Sequence, residues 1–148
     1  MINLVELKNV KKNYGSKEAV KDLSFQIKEN EILGLLGPNG CGKTTTIGMM
    51  LGLLKPTSGE ILIDKKKIEE NRIETLKKIN FISPYIELPK KLSVKQNLIV
   101  YGKLYDVKDL NNRIEYLVEK LRLEELLNKI TGELSSGQKN RVSLAKAL

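Results

Sequence analysis

The segment of residues 32–51 joins an apolar run to a Gly-rich turn and then to a helix-forming sequence. The turn contains the pattern GxxxxGK followed by Ser or Thr, and its fixed positions are Gly37, Gly42, Lys43 and Thr44. This pattern binds phosphate groups when a strand precedes the turn and a helix follows it. The segment therefore predicts a phosphate-binding loop and an α/β fold. A turn that merely joins a strand to a helix is the alternative.

The residue types in this loop suit a nucleoside triphosphate, which carries several negative charges. Glycine at positions 37, 40 and 42 allows consecutive backbone N–H groups to point into one concavity. The helix that follows adds unpaired N–H groups and the positive end of its dipole. Lys43 supplies charge for the β- and γ-phosphates, Thr44 a hydroxyl for Mg²⁺, and Thr45 a contact to the α-phosphate. The predicted nucleotide-binding residues of the loop are Gly37, Pro38, Asn39, Gly40, Cys41, Gly42, Lys43, Thr44 and Thr45.

Length and residue usage limit the class of protein. The chain has 148 residues, of which 41% are hydrophobic, enough for one domain with a core and too few for two. No run approaches the ~18 apolar residues of a membrane span, and a secretory signal is not recognisable, so we expect a cytoplasmic protein. Cys41 is the only cysteine and histidine is absent, which excludes an internal disulfide and histidine chemistry within these residues. Cys41 is either a small loop residue or a thiol whose modification blocks nucleotide binding.

The net charge of +8 raises the question of an anionic partner. The basic residues are mostly lysines that are spread along the chain and interleaved with Glu and Asp, and few aromatic residues lie near them. This pattern is typical of a solvated surface, with an acidic protein surface or anionic lipid headgroups as alternatives. Nucleic acid is not an expected partner.

Three short strands are predicted in the part of the chain that precedes the phosphate loop. Residues 4–10 and 20–27 have amphipathic strand patterns, and the residues between them, 13–17, have the composition of a turn. Residues 32–36 are apolar on both faces, as in a buried central strand. Two amphipathic strands before a buried one predict an antiparallel layer beside a parallel core sheet.

Further along, helix and strand patterns alternate. A helix over residues 44–54 would bury one face, and residues 69–78 form a second, shorter helix. Strands are predicted over residues 60–64 and 79–83. Asp64 ends an apolar strand, but three lysines follow it, so it is not predicted to bind Mg²⁺. The apolar residues of the first helix are Ile47, Met50, Leu51 and Leu54.

The second half of the chain changes character. Ser93 is placed to cap a helix that continues to Leu104, and residues 110–127 predict one or two more helices. Strand patterns disappear after residue 93, which predicts a helical subdomain. The last segment begins at Gly132 and contains the motif LSSGQ, residues 134–138.

The phosphate loop and this motif together resemble the ATP-binding subunit of an ABC transporter, whose signature LSGGQ stands here as LSSGQ. The resemblance covers essentially all 148 residues. It implies a P-loop NTPase of ABC type that binds ATP and Mg²⁺, with the phosphate loop as its Walker A motif. By itself, the motif also has the properties of an ordinary helix N-cap, or of a second anion site at a helix start. The resemblance assigns nucleotide contacts to Ser135, Ser136, Gly137 and Gln138.

The resemblance also implies partners and further site residues. In the family, the signature of one subunit closes over the nucleotide held by the other, so a second nucleotide-binding subunit is implied, in a head-to-tail homodimer or heterodimer. A membrane permease is the other implied partner, and it would place the chain peripherally on the inner face of the cell membrane. Tyr14 matches the aromatic A-loop residue that stacks on adenine, and a tyrosine with only a structural role in the turn is the alternative.

Two departures from the family pattern stand out. Pro84 occupies the position where the Q-loop usually has Gln, and Tyr85 or Glu87 would have to take over part of its role. An apolar helical pattern still continues at Leu148, and no Walker B strand, catalytic Glu or switch His is present in the 148 residues. We therefore expect a single nucleotide-binding domain that is incomplete at its C-terminus, without its general base.

The predicted domain has three parts: a β layer with the Walker A core (residues 1–83), a Q-loop region (residues 84–92) and a helical subdomain (residues 93–148). The leading functional hypothesis is ATP binding, with hydrolysis in the complete dimer driving transport through a permease. The alternatives are a soluble ABC-type ATPase without a permease and a non-catalytic nucleotide-binding protein. The sequence identifies neither the transported substrate nor the direction of transport.

Overall fold

A computed structural model describes residues 3–83 and 88–148 of the chain. These residues form two compact units, one up to Ile79 and the other from Asn80 onward. Each unit has its own cluster of buried apolar side chains. The first unit contains the strands and the phosphate loop, and the second is helical.

The first unit is built on an antiparallel sheet of four strands: β1 (Asn3–Tyr14), β2 (Lys17–Lys28), β3 (Ser58–Ile63) and β4 (Lys66–Lys67). The strand order is β2-β1-β3-β4. β1 and β2 are adjacent in sequence and pair antiparallel on either side of a short turn, with several register shifts along the ladder, so they form a hairpin. The predicted antiparallel layer is confirmed, and its first two strands are longer than the sequence pattern indicated.

Alternating side chains of this sheet pack against two helices, α1 (Lys43–Met50) and α2 (Arg72–Leu76). One face of the sheet is apolar because alternate strand residues point to the same side. Met49 of α1 is fully buried against this face. The buried core of the first unit consists of Leu7, Val10, Val20, Met49, Ile61, Ile63 and Ile68.

The predicted strand over residues 32–36 is not formed, although this is the most apolar segment before the phosphate loop. Ile32 is 99% exposed and Leu36 is 92% exposed. A backbone segment becomes a strand only when a neighbour completes its hydrogen-bond ladder. Among the described residues, none pairs with residues 32–36. The described sheet is antiparallel throughout, and residues 79–83 likewise do not form the predicted strand.

The helix after the phosphate loop is shorter than predicted, and its buried face matches the predicted one only in part. It ends at Met50, and Gly52 continues the chain with a φ of +64°. Of the predicted apolar positions, Met50 and Leu54 pack against the core of the first unit, whereas Ile47 is 38% exposed. The most deeply buried side chains of the helix are Thr46 and Met49, which the apolar spacing did not include. The helix predicted over residues 69–78 is reduced to α2.

The carboxylates of the first unit pair with lysines on its surface. Lys78 donates a hydrogen bond to Asp64, which lowers the pKa of that carboxyl, and Lys66 does the same for Glu74. Asp64 has a φ of +48° in the turn after β3. Asp64 therefore lies in a turn and not at the end of the strand predicted over residues 60–64. That Asp64 does not bind Mg²⁺ stays a prediction.

The second unit contains α3 (Val94–Leu104), α4 (Leu110–Leu121) and α5 (Ser136–Ala147). Short 3-10 turns lie between α4 and α5, over Glu124–Leu126 and Thr131–Glu133. The predicted helical half is confirmed. The buried core of this unit consists of Leu88, Val94, Leu98, Ile114, Leu117, Val118, Leu123, Leu126, Leu134, Val142 and Ala145.

Ser93 caps the start of α3, as the sequence predicted. The Ser93 hydroxyl accepts a hydrogen bond from the Gln96 backbone N–H at 3.2 Å. The Gln96 side chain in return accepts one from the Ser93 N–H at 2.9 Å. This reciprocal capping box satisfies two backbone donors at the helix start.

Within residues 3–83 and 88–148, none of the helices combines the length and apolar character needed to cross a bilayer.

Candidate functional site

The phosphate loop ends at Gly42, the residue that precedes α1. Gly42 has a φ of +93°, a conformation that strains any residue with a Cβ atom. A Cβ built at this position would lie 2.4 Å from the Ala19 carbonyl oxygen of β2. Glycine is therefore required at position 42 both for the turn and for the close approach of the loop to the sheet.

The Lys43 side chain folds back onto the loop that precedes it. Its Nζ donates hydrogen bonds to the carbonyl oxygens of Gly37, at 2.6 Å, and Pro38, at 2.7 Å. The Cys41 Sγ lies 3.8 Å from the same nitrogen. Neutral carbonyl acceptors leave the ammonium charge uncompensated, and hydrogen bonds from an ammonium to phosphate oxygens are stronger. Lys43 is thus placed to exchange loop carbonyls for a phosphate.

Three consecutive threonines follow Lys43, and the structure separates their roles. Thr46 is buried, and its hydroxyl donates to the Gly42 carbonyl oxygen at 3.0 Å, so it is committed to holding the helix start. Thr44 is exposed, so its hydroxyl is accessible to a ligand, and Thr45 is partly buried. The first backbone N–H groups of α1 also lack acceptors within the helix.

These residues fit a nucleotide phosphate with its Mg²⁺ ion. Mg²⁺ in phosphate sites is usually held by one or two protein oxygens together with phosphate oxygens and water. In the described residues, no cluster of three or more His, Cys, Asp or Glu side chains could hold a metal ion. A single hydroxyl at Thr44 therefore suits an ion that arrives on the nucleotide better than a permanently bound metal.

A cleft of about 500 Å³ lies between β2 and the phosphate loop. Its volume is in the range of small-molecule sites. Residues of β2, of the segment before the loop, of the loop itself and of α1 line this cleft with both apolar and charged side chains. Its lining residues are Glu18, Ala19, Val20, Lys21, Leu23, Leu35, Leu36, Gly40, Cys41, Lys43 and Thr46.

Tyr14, the candidate adenine-stacking residue, lies at the end of β1 and does not line this cleft. Its side chain is 48% exposed. The Lys12 ammonium lies over its ring, 5.2 Å from the ring centroid. The ring is therefore exposed enough to contact a ligand, but its role in adenine stacking remains a prediction.

The signature motif forms the start of α5. The Ser135 hydroxyl accepts a hydrogen bond from the Gln138 N–H at 3.3 Å, and the Gln138 side chain accepts one from the Ser135 N–H at 2.9 Å. Two of the four predicted signature residues thus form a capping box. Ser136 and Gly137 are exposed, and a Cβ at position 137 would meet open space. A ligand could approach this helix start closely at these two positions.

We expect Ser135→Ala to destabilise the second unit by about 1 kcal/mol, because the N-cap acceptor of α5 is lost. Urea denaturation followed by far-UV circular dichroism would measure this. Ser136→Ala is the matched control, since Ser136 lies within the first turn and its loss should change the free energy of unfolding by less than ~0.5 kcal/mol. Equal effects of the two changes would contradict the capping role of Ser135.

Sequence reasoning missed a buried polar group that supports the approach to the signature motif. Asn97 and Thr131 are almost completely buried, and the Asn97 Nδ2 donates to the Thr131 Oγ1 at 2.8 Å. The Thr131 hydroxyl and backbone N–H both donate to the Leu92 carbonyl oxygen at 2.9 Å. The segment before the motif is thereby fixed to the start of α3. An Asn between apolar helix residues was the only signal in the sequence.

The predicted Q-loop residues Pro84, Tyr85 and Glu87 lie outside the described residues. The phosphate loop belongs to the first unit and the signature motif to the second.

Comparison with known proteins agrees with these motifs. The family profile described as ABC transporter matches residues 20–148. The bacitracin transport ATP-binding protein BcrA of Bacillus licheniformis is 36% identical over 151 aligned residues, which cover 100% of this chain and 48% of that protein. The chain thus spans about half the length of the curated relatives it matches.

Solved structures show the same similarity. CbiO1 of Clostridium perfringens, part of the ABC transporter complex CbiONQ, superposes with a TM-score of 0.86 at 30% identity. The match covers 100% of this chain and 62% of that one. A dimeric bacterial ABC transporter cassette superposes with a TM-score of 0.80 at 31% identity, over 97% of this chain and 68% of that one.

Proposed function

Because the chain belongs to the ABC transporter family, we propose that it binds ATP with Mg²⁺ and forms part of an ATPase that drives transport through a membrane permease. The observation that carries this proposal is the Lys43 ammonium, held against the loop carbonyls beside the start of α1. The transport function named for BcrA supports the second half of the proposal.

In this proposal, the residues of the first unit bind and orient the triphosphate. Lys43 would exchange its two carbonyl acceptors for β- and γ-phosphate oxygens, and the N–H groups of the loop and of α1 would surround the phosphates. Bound Mg²⁺, with Thr44 as its protein ligand, supplies neutralisation of phosphate charge. Phosphoryl transfer depends mainly on such positioning and charge stabilisation.

The signature motif is proposed to act on a second subunit. The starts of α1 and α5 are two candidate anion sites, and a single chain would not need both to bind one nucleotide. In a head-to-tail dimer, each nucleotide would contact the α1 start of one subunit and the α5 start of the other. The exposed Ser136 and Gly137 at the start of α5 support this role, and the dimeric cassette shows that a similar protein assembles in pairs. A permease partner would hold the dimer at the inner face of the membrane.

The 148-residue chain is proposed to bind ATP without turning it over. This proposal rests on the expectation from the sequence that the Walker B Asp, catalytic Glu and switch His implied by the resemblance have no counterpart in these residues. Binding needs the phosphate loop and the residue that contacts the base, whereas hydrolysis also needs a general base for the attacking water.

Isothermal titration of the purified chain with ATP·Mg²⁺ and with tripolyphosphate, combined with a phosphate-release assay, would test this proposal. We expect both ligands to bind, ATP·Mg²⁺ to raise the melting temperature, and no phosphate release above background. Failure of both ligands to bind would contradict the proposed nucleotide site. Sustained phosphate release that Lys43→Ala abolishes would contradict the proposal that catalysis needs further residues.

A further inference from the structure

The end of β1 is fastened to the segment that precedes β3 by three hydrogen bonds. The Lys12 Nζ donates to the Lys55 carbonyl oxygen at 2.7 Å. The Asn13 N–H donates to the Thr57 hydroxyl at 3.0 Å, and the Thr57 N–H donates to the Lys11 carbonyl oxygen at 2.8 Å. The backbone on both sides of Lys12 is therefore fixed immediately before Tyr14.

The same Lys12 ammonium lies over the Tyr14 ring, 5.2 Å from its centroid. A cation at this distance is attracted to the electron-rich face of an aromatic ring. The Lys55 carbonyl holds the ammonium in place, and the ammonium in turn holds one face of the ring. With 48% of Tyr14 exposed, the ring still offers surface to a ligand.

We propose that Lys12 is a positioning residue for nucleotide binding, which holds the Tyr14 ring so that its free face can stack on the base. An exposed tyrosine without such a contact must give up rotamer freedom when it stacks on a ligand. Lys12 restricts the ring before the ligand arrives. This inference rests on the proposed function, in which Tyr14 stacks on adenine.

The inference predicts an effect on ligands that contain a base and none on phosphate alone. We expect Lys12→Met to raise the Kd of ATP·Mg²⁺ about two- to five-fold, the range that corresponds to a partly exposed cation–π contact. The Kd of tripolyphosphate should not change relative to a control. The matched control is Lys11→Met, which removes the same charge from the neighbouring, exposed position.

Conservative and double substitutions separate positioning from charge. Lys12→Arg keeps a cation and a hydrogen-bond donor, and should retain an ATP affinity within about two-fold of the original chain. In a Tyr14→Leu background, Lys12→Met should have no further effect on the ATP affinity, because the ring that it positions is gone. Urea denaturation of each variant would verify that the first unit remains folded.

The outcomes distinguish failure of this inference from failure of the proposed function. If Tyr14→Leu weakens ATP binding but Lys12→Met behaves like Lys11→Met, Lys12 is not a positioning residue. An equal loss for ATP and tripolyphosphate would show a purely electrostatic effect and would also overturn the inference. If Tyr14→Leu leaves ATP affinity unchanged, the adenine-stacking role of Tyr14 in the proposed function is wrong.

Discussion

Lys43→Ala is expected to raise the Kd of ATP·Mg²⁺ about 100-fold, equivalent to about 3 kcal/mol. The Lys43 ammonium is the charged donor of the phosphate loop, and the loop carbonyls that hold it are weaker acceptors than phosphate oxygens. Its removal leaves the triphosphate with the backbone N–H groups and the threonine hydroxyls, none of which is charged. Isothermal titration with ATP·Mg²⁺ and with tripolyphosphate would measure the loss, which should be similar for the two ligands.

The control for this prediction is Lys17→Ala, which removes the same charge from the exposed start of β2 and should change the Kd less than about two-fold. The free energy of unfolding should differ little between the two variants, because the Lys43 contacts lie at the surface. Retention of ATP affinity in Lys43→Ala would show that the nucleotide does not bind at this loop.

Asn97→Asp is expected to destabilise the second unit by about 3–5 kcal/mol. The Asn97 Nδ2 is surrounded by four acceptor oxygens: the carbonyls of Pro89, Leu92 and Ser93 and the Thr131 hydroxyl. A carboxylate in this fully buried position would face acceptors in place of donating to them. The loss of stability should be large because the new charge is both buried and unpaired.

Hydrogen–deuterium exchange with urea denaturation would test this prediction and locate its effect. Protection should fall in α3 and in the segment around Thr131, and β1 and β2 should be unaffected, because the two units have separate cores. Asn111→Asp makes the same chemical change at an exposed position of α4, and should alter the free energy of unfolding by less than ~0.5 kcal/mol. Equal effects at the two positions would contradict the assigned role of Asn97.

Local patterns in the sequence were sufficient to predict the antiparallel layer, the helical half and both capped helix starts. The alternation of apolar and polar residues in β1 and β2 can be recognised within each strand. The capping residues Ser93 and Ser135 bond to residues three positions further along the chain. Each of these structures can therefore be predicted from a short segment of sequence. The phosphate loop could also be predicted from a short segment, because Gly42 and Lys43 contact residues of the loop or of β2.

The prediction failed where structure depends on distant partners. Residues 32–36 have the composition of a buried strand, but composition cannot provide the neighbouring strand that a ladder requires. The buried face of α1 was predicted only in part, because the fully buried Met49 lies outside the apolar spacing of Ile47, Met50 and Leu54. Asn97 and Lys12 were overlooked because their partners, Thr131 and Lys55, lie 34 and 43 residues away.

The exposed apolar segment of residues 32–36 also has a consequence for the behaviour of the chain in solution. Within residues 3–83 and 88–148, no strand pairs with its backbone, and the side chains of Ile32 and Leu36 are almost fully exposed. Such a segment is a template on which another extended peptide can add, and its low charge does nothing to prevent aggregation. Self-association through these residues would grow with protein concentration and would crowd the adjoining Gly37. Solubility and access to the phosphate loop are thus coupled through one short stretch of chain.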